Sequence, residues 1–300
     1  MTTTTARLGE SREDRIFNAV IYGCLALVFV SMVYPLWFIL IASFSDPNSV
    51  YNGKVLVLPH NTTLRGYELI LEYRPIWIGY RNAFIYLFLG TGINLAVMVP
   101  AAYALSRKDL VGRSLIMAVF VFTMFFGGGL IPTYLLVRKL GLYDTIWPMV
   151  LLPAVSVYLM IIARTFFQTT IPDELLAAAQ IDGCSNRQFF LLVVIPVSPA
   201  IIAVLTLFCG VNHWNQFFLP LIYLDRESLH PLQLVLRGLL TQVEWLASEL
   251  GGDESFLEQQ KMADLMKYGV IIVASVPMLV LYPFIQRHFV RGVMIGSLKG

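Results

Sequence analysis

The chain has 300 residues, of which 57% are hydrophobic and only 13% charged, with a formal net charge of +2 and a mean hydropathy of +0.71. Soluble globular domains do not reach this combination of high apolar and low charged content. The composition excludes an ordinary water-soluble domain, and we expect the chain to lie in a membrane.

Six segments lack Asp, Glu, Lys and Arg over a length that can cross a bilayer. They are Ile16–Ser45, Asn82–Ser106, Ser114–Val137, Thr145–Ala163, Gln188–Leu224 and Tyr268–Gln286. None shows the apolar/polar alternation of a barrel strand, and lipid offers no partner to an unpaired backbone group. The sequence therefore predicts an all-α integral membrane protein with six transmembrane helices.

Proline and glycine residues are expected to break the helix in two of these segments. The run Gln188–Leu224 is longer than one span needs, so Pro196 and Pro199 are expected to mark where its spanning helix begins. Three consecutive glycines, residues 127–129, are expected to interrupt the third helix as part of a packing contact or a gate.

The orientation in the membrane follows from the ends and from the basic residues. Residues 1–15 are polar, and the apolar run after them is too long for a secretory signal, so we predict a cytoplasmic tail followed by a retained helix. Lys and Arg are denser in the internal segments if both ends are inside. This places a loop at 164–190 and a tail at 287–300 in the cytoplasm, within one transmembrane domain, 16–300.

Motifs for catalysis or metal binding are absent from the sequence. There is no HExxH, GxSxG or GxxxxGK[ST] pattern, and the three cysteines are scattered without metal-ligand spacing. We therefore predict no catalytic residue, no metal site and no cofactor bound by this chain. The predicted spans also lack the charged residues by which gradient-driven carriers couple transport, so energy for transport is expected to come from another chain.

The loop between the fourth and fifth spans, PDELLAAAQIDGCSNRQFF, shows a helix–Gly–helix pattern. Thr170–Asp173 has the form of a capping box, Gly183 is expected to end the first helix with a positive φ, and Ser185–Gln188 repeats the start signal. Ile171, Leu175, Ala178 and Ile181 recur on one face at helical spacing. A plain loop helix on the bilayer surface and a docking helix for a partner both fit this pattern. A DNA-binding helix-turn-helix does not, because both ends are tethered to membrane spans.

The same stretch, IPDELLAAAQIDGCSNRQFFLLVVIPVSPA, resembles the "EAA" loop of ABC importer permeases. AAYALSRKDLVGR, TMFFGGGLIPTYLLV, WNQFFLPLIYL and HFVRGVMIGSLKG resemble the carbohydrate branch of that family, and within it permeases for larger or uronic-acid-containing oligosaccharides. One departure is that Ala177 stands where the family's triplet has Glu.

The resemblance implies a permease subunit that forms half of a translocation path for a sugar in a bacterial cell membrane. Its partners would be a second homologous permease, two ATPase subunits that bind ATP and Mg²⁺, an extracytoplasmic sugar-binding protein and membrane lipid, but no nucleic acid. The loop would be a coupling helix in a cleft of the ATPase, with contacts at Glu174, Leu175, Ala178, Ala179, Asp182 and Gly183. A self-sufficient secondary carrier for a small polar solute is the alternative.

Residues that could contact sugar combine amide groups with aromatic faces. The candidates for the substrate path are Asn94, Tyr134, Asn212, Trp214 and Asn215. Two structural roles compete with sugar contact at these positions, because Trp at a span end is often an interfacial anchor and Asn often joins helices.

Overall fold

The computed structural model of the protein describes residues 12–249 and 266–280, and it is helical throughout. Within these two ranges the only β pairing is an isolated bridge between Ser45 and Thr62. The prediction of an all-helical chain is therefore confirmed. The helices are α1 Arg12–Ser43, α2 Pro47–Tyr51, α3 Arg65–Glu72, α4 Arg74–Ser106, α5 Arg113–Phe125, α6 Leu130–Lys139, α7 Trp147–Leu151, α8 Val157–Thr170, α9 Asp173–Ile181, α10 Asn186–Phe189, α11 Ile195–Val197, α12 Pro199–Trp214, α13 Phe218–Tyr223, α14 Leu232–Glu249 and α15 Met266–Val280.

The chain divides into two compact units. Among the described residues, the first comprises 12–70, 243–249 and 266–273. Most of α1 exposes apolar side chains, as expected of a helix that faces lipid. In the C-terminal part of α1, Ser43 shares a 2.8 Å hydrogen bond with Tyr67, and the Trp37 Nε1–H donates to the Val57 carbonyl at 2.8 Å.

The second unit comprises, among the described residues, 71–242 and 274–280, and α4 is its central helix. One face of α4 packs against α8 and α12, because small and flexible apolar residues allow the three helices to approach. The fully buried centre of this core includes Met98, Ala102, Met160, Phe167 and Leu205.

The predicted spans correspond to helices of two kinds. The helices α1 and α4, of 32 and 33 residues, are each long and apolar enough to cross a membrane alone. The pair α5 and α6 is bent by 108°, and the segment 186–197 is bent by 80° against α12, so each pair could form one broken span. The glycine interruption is confirmed at 127–129, and α12 begins at Pro199 as predicted.

One interruption was not predicted. The run Thr145–Ala163, expected to be a single helix, is divided between α7 and α8. Pro153 lies in the gap, and Ser156 then caps α8 by accepting a hydrogen bond from the Leu159 N–H. Pro153 was the signal in the sequence, because proline cannot donate a helical hydrogen bond.

Several predicted features lie partly or wholly outside the described residues. The tail 287–300 does, as do residues 1–11 of the N-terminal tail and the end of the sixth predicted span beyond residue 280.

Candidate functional site

The loop helix α9 begins later than its sequence pattern indicates. Thr170 is the last residue of α8, because the Ile171 N–H still donates to the Phe167 carbonyl at 3.1 Å. Pro172, in extended backbone, separates the two helices and is the N-cap of α9. The predicted capping box from Thr170 to Asp173 is therefore wrong, since the preceding helix uses Thr170.

The end of α9 follows the prediction. Gly183 has a φ of +77°, which is the left-handed conformation that glycine adopts without strain. Its N–H donates to the Gln180 carbonyl at 3.0 Å, and the Cys184 N–H donates to the Ala179 carbonyl at 2.9 Å. These two bonds form a Schellman motif, which satisfies the last carbonyls of the helix.

The second start signal is also confirmed. The Ser185 N–H donates to Gln188 Oε1 at 2.9 Å, and the Gln188 N–H donates to Ser185 Oγ at 3.4 Å. This reciprocal capping box begins α10 two residues after Gly183. The turn between α9 and α10 is thus fixed by hydrogen bonds on both sides.

The two faces of α9 have different surroundings. Leu176 is buried, and Ala179 is half-buried against the core shared by α4, α8 and α12. On the opposite face Ala177 and Ala178 are exposed, and Ile181 is 87% exposed. Glu174, Leu175, Asp182 and Gly183 are exposed as well. Of the six predicted coupling residues, only Ala179 contacts the core.

The first residue of α9 is bound to the turn that follows α4. Asp173 accepts from Lys108 Nζ at 2.7 Å and pairs with an Arg107 nitrogen at 3.3 Å. The hydrogen bond from Lys108 lowers the pKa of Asp173. Nothing local in the sequence indicated this contact, because the partners belong to different loops.

Asn94, the first candidate for the substrate path, is buried in the middle of α4. Its Nδ2 donates to the carbonyls of Pro153 and Ala154 at 2.7 and 2.8 Å, and its Oδ1 lies 2.8 Å from His213 Nε2. Asn94 therefore joins α4 to the break before α8 and to α12. This is the helix-joining role that competes with sugar contact.

The imidazole of His213 lies directly against Gly90. A Cβ at Gly90 would come within 2.3 Å of the ring's Cε1 and 2.4 Å of its Nε2, so only glycine leaves room for the ring. Because the Asn94 amide nitrogen already serves two carbonyls, the amide oxygen accepts from His213 Nε2–H, and the ring's Nδ1 has no partner among the described residues.

The remaining path candidates divide by exposure. Trp214 is 2% exposed, packs beside Phe84, and donates to the Ala274 carbonyl at 3.3 Å. Asn212 and Asn215 are exposed, and Tyr134 is half-buried. The structure therefore leaves Asn212, Asn215 and Tyr134 open to contact, whereas Trp214 serves packing.

Two connecting loops, 140–146 and 224–230, are joined through Asp144. This residue has a φ of +54° and accepts from the N–H groups of Asp225 and Arg226, both at 3.0 Å. Its other oxygen pairs with Arg226 Nε at 2.7 Å. The hydrogen bond from the Arg226 N–H lowers the pKa of Asp144. We call these two loops, with Tyr134, Tyr143 and Tyr223, the outer platform, after the side that the predicted topology assigns to them. Nothing local in the sequence indicated their pairing.

Comparison with known proteins shows relatives over nearly the whole chain. This chain is 36% identical over 290 residues to the polygalacturonan/rhamnogalacturonan transport system permease protein YtcP of Bacillus subtilis. The match covers 96% of this chain and 100% of that protein. Protein LplC of the same organism is 33% identical over 291 residues, or 97% of each chain. No family model matches.

A solved structure agrees with these relatives. The crystal structure of a bacterial ABC transporter involved in the import of the acidic polysaccharide alginate contains a chain that superposes with a TM-score of 0.83 at 29% identity. The match covers 93% of this chain and 98% of that one.

These relatives, together with the helical fold, define a membrane subunit of a transporter. The chain belongs to the permease subunits of sugar ABC transporters. Such subunits are not enzymes, because ATP hydrolysis takes place in separate subunits of the transporter.

Proposed function

We propose that this chain forms one half of the translocation path of an ATP-driven importer for acidic oligosaccharides. The other components would be a second homologous permease, two ATPase subunits that bind ATP and Mg²⁺, and an extracytoplasmic binding protein. The two relatives named for acidic polymers, polygalacturonan and alginate, support the acidic substrate class.

In this proposal the chain crosses a bacterial cell membrane six times with both termini in the cytoplasm. The two long helices and the two bent pairs supply up to four spans. The segment of α7 and α8 and the helix α15 supply the other two. This arrangement places α9 in the cytoplasm and the outer platform on the opposite side.

The observation that carries the proposal is the exposed apolar face of α9 on a rigid frame. Ala177, Ala178 and Ile181 contact nothing in the core, yet their helix is held by Leu176 and Ala179, which pack in the core, and by the Gly183 turn. Small residues allow a partner to approach closely. A fixed apolar face of this kind suits a helix that sits in a cleft of the ATPase and transmits its closure to α4, α8 and α12.

The test compares two exposed apolar residues in different loops. Ile181→Asp places a charge on the proposed docking face, whereas Val111→Asp places one at a residue that is 92% exposed in the turn after α4. Each variant is tagged and purified in mild detergent with its co-purifying ATPase. We expect Ile181→Asp to lose the ATPase or its stimulation by loaded binding protein, and Val111→Asp to keep both.

Equal retention of ATPase and of stimulated hydrolysis in the two variants contradicts the docking role of α9. Uptake of labelled trigalacturonate by cells expressing the wild-type transporter tests the substrate class separately. Uptake of neutral arabinotriose without trigalacturonate contradicts the acidic class and leaves the docking role intact.

A further inference from the structure

Arg138, in the last turn of α6, lies over two tyrosine rings of the outer platform. Its guanidinium carbon is 5.8 Å from the centroid of Tyr134 and 5.2 Å from that of Tyr143. Both distances are within the range of cation–π attraction, which orients the planar guanidinium.

The tyrosines under Arg138 are themselves held in place. The Tyr143 hydroxyl donates to Asp225 Oδ1 at 2.9 Å, and this bond raises the pKa of Tyr143 to about 12, so the hydroxyl keeps its proton at neutral pH. Tyr134 packs edge-on against Tyr143, with the ring centroids 5.8 Å apart. Its ring also packs, tilted, against that of Tyr223, with the centroids 5.9 Å apart. Arg138 therefore rests on a fixed aromatic surface.

The donors of Arg138 are not used by this part of the molecule. Across residues 12–241 and 266–280 no carboxylate lies within ion-pair distance of Arg138, whereas Arg226 on the same platform is paired with Asp144. Arg138 is exposed, and a guanidinium can bind a carboxylate through two parallel N–H donors. An arginine already oriented on aromatic rings loses less conformational freedom when it binds such a group.

We propose that Arg138, seated on Tyr134 and Tyr143, is a carboxylate-binding subsite for a uronic acid residue of the imported oligosaccharide. This assignment rests on the proposed function, which supplies the acidic sugar and the outward position of the platform. Tyrosine rings beside a cation suit a sugar acid, which presents C–H groups next to its carboxylate. An acidic side chain of the binding protein is the competing ligand, and the experiment separates the two.

The experiment uses the complete transporter in liposomes with ATP inside, with binding protein loaded with trigalacturonate outside. Arg138→Gln removes both the positive charge and the two parallel N–H donors of the guanidinium. Arg138→Lys keeps only the charge, and Arg237→Gln is the matched control. Arg237 is another exposed arginine over an aromatic ring, 5.1 Å from Phe217.

We expect Arg138→Gln to lower the maximal uptake rate about tenfold or more, with an unchanged KM for the loaded binding protein. Arg138→Lys should fall between this variant and the wild type, and Arg237→Gln should match the wild type. An unchanged maximal rate in Arg138→Gln overturns the subsite, and a raised KM alone assigns Arg138 to binding-protein docking instead. If the wild-type transporter imports arabinotriose but no trigalacturonate, the proposed acidic substrate class is wrong. This result is distinct from an unchanged maximal rate and from a raised KM in Arg138→Gln.

Discussion

The two ends of α4 hold their neighbours by different means. At its C-terminal end Asp173, whose side chain is 45% exposed, pairs with Lys108, which is 77% exposed, and with Arg107, which is 14% exposed. Toward its N-terminal end Asn82 and Tyr86, both almost fully buried, donate to the backbone carbonyls of residues 228–230 at 2.7 to 3.0 Å. The C-terminal end of α4 is thus joined to α9 by partly exposed ion pairs. Its N-terminal end is joined to residues 228–230 by neutral hydrogen bonds from buried side chains.

The difference indicates which end can move. Exposed ion pairs contribute little to stability, because water and salt screen them and two long side chains lose freedom. A buried carbonyl that loses its donor costs about 1–3 kcal/mol. We therefore expect the Asp173 ion pairs to break at small cost when the ATPase closes, while the outer platform stays attached to α4. The predictions below test this contrast, beginning with the largest effect.

The largest effect is expected midway along α4, where both ends depend on its packing against α12. Gly90→Ala forces a Cβ into the His213 ring, whose buried position leaves it nowhere to go, and should cost about 3 kcal/mol. Gly92→Ala is the control on the same helix, because a Cβ there has no neighbour within 4 Å. Thermal unfolding of the purified variants in detergent measures both. A Gly90→Ala protein as stable as Gly92→Ala contradicts the close packing.

The next effect is expected at the outer end of α4. Asn82→Ala removes the buried amide that donates to the carbonyls of Ser228 and His230 and should cost about 2 kcal/mol. Arg81→Ala, at the exposed neighbouring residue that also reaches the Ser228 carbonyl at 3.3 Å, should cost much less. The same unfolding measurement applies. Equal losses of stability in Asn82→Ala and Arg81→Ala would mean that the buried side chain contributes no more than the exposed one.

A smaller loss of stability, with a large loss of function, is expected at Gly183. Gly183→Val strains a backbone with a φ of +77° by about 1 kcal/mol and redirects α10. Gly53→Val is matched, since Gly53 has a φ of +67° and equally open surroundings. Both variants should insert normally, but only Gly183→Val should lose most substrate-stimulated ATP hydrolysis. Wild-type hydrolysis in Gly183→Val would show that the loop does not couple.

The smallest effect is expected at Asp173. Because its pKa is lowered in the folded protein, its ion pairs stabilise above the ordinary carboxyl value of 3.8, and that contribution is lost as the pH falls below it. Asp173→Asn should therefore melt slightly below the wild type at pH 6, and the difference should shrink as the pH falls toward 3. Glu174→Gln, at an exposed neighbour outside these ion pairs, is the control and should change neither value. A large difference in melting temperature between Asp173→Asn and the wild type at pH 6 would contradict weak ion pairs at Asp173.

The inner end of the molecule was largely predictable from sequence, because its structure is local. The turn at Gly183 and the capping box at Ser185 each involve residues within a few positions of one another. The error at Thr170 has a local cause as well. Two helices compete for that residue, and the pattern alone does not show that α8 continues to Thr170.

The outer platform and the buried contacts of α4 were not predictable. Asp144 meets Arg226, and Asn94 meets His213, only after distant parts of the chain have packed together. No spacing rule joins residues so far apart. Asn94 and Trp214 were selected by their chemistry as sugar contacts, but the structure shows that hydrogen bonds and packing occupy them.

The seat of His213 on Gly90 also constrains how the sequence can diverge. A lineage that replaces the glycine first gains a clash, and one that replaces the histidine first leaves the Asn94 oxygen without its donor. Each single step is harmful, and a larger residue at position 90 requires a smaller one at position 213. The order of substitution therefore matters, and the two positions should vary jointly among descendants of this chain.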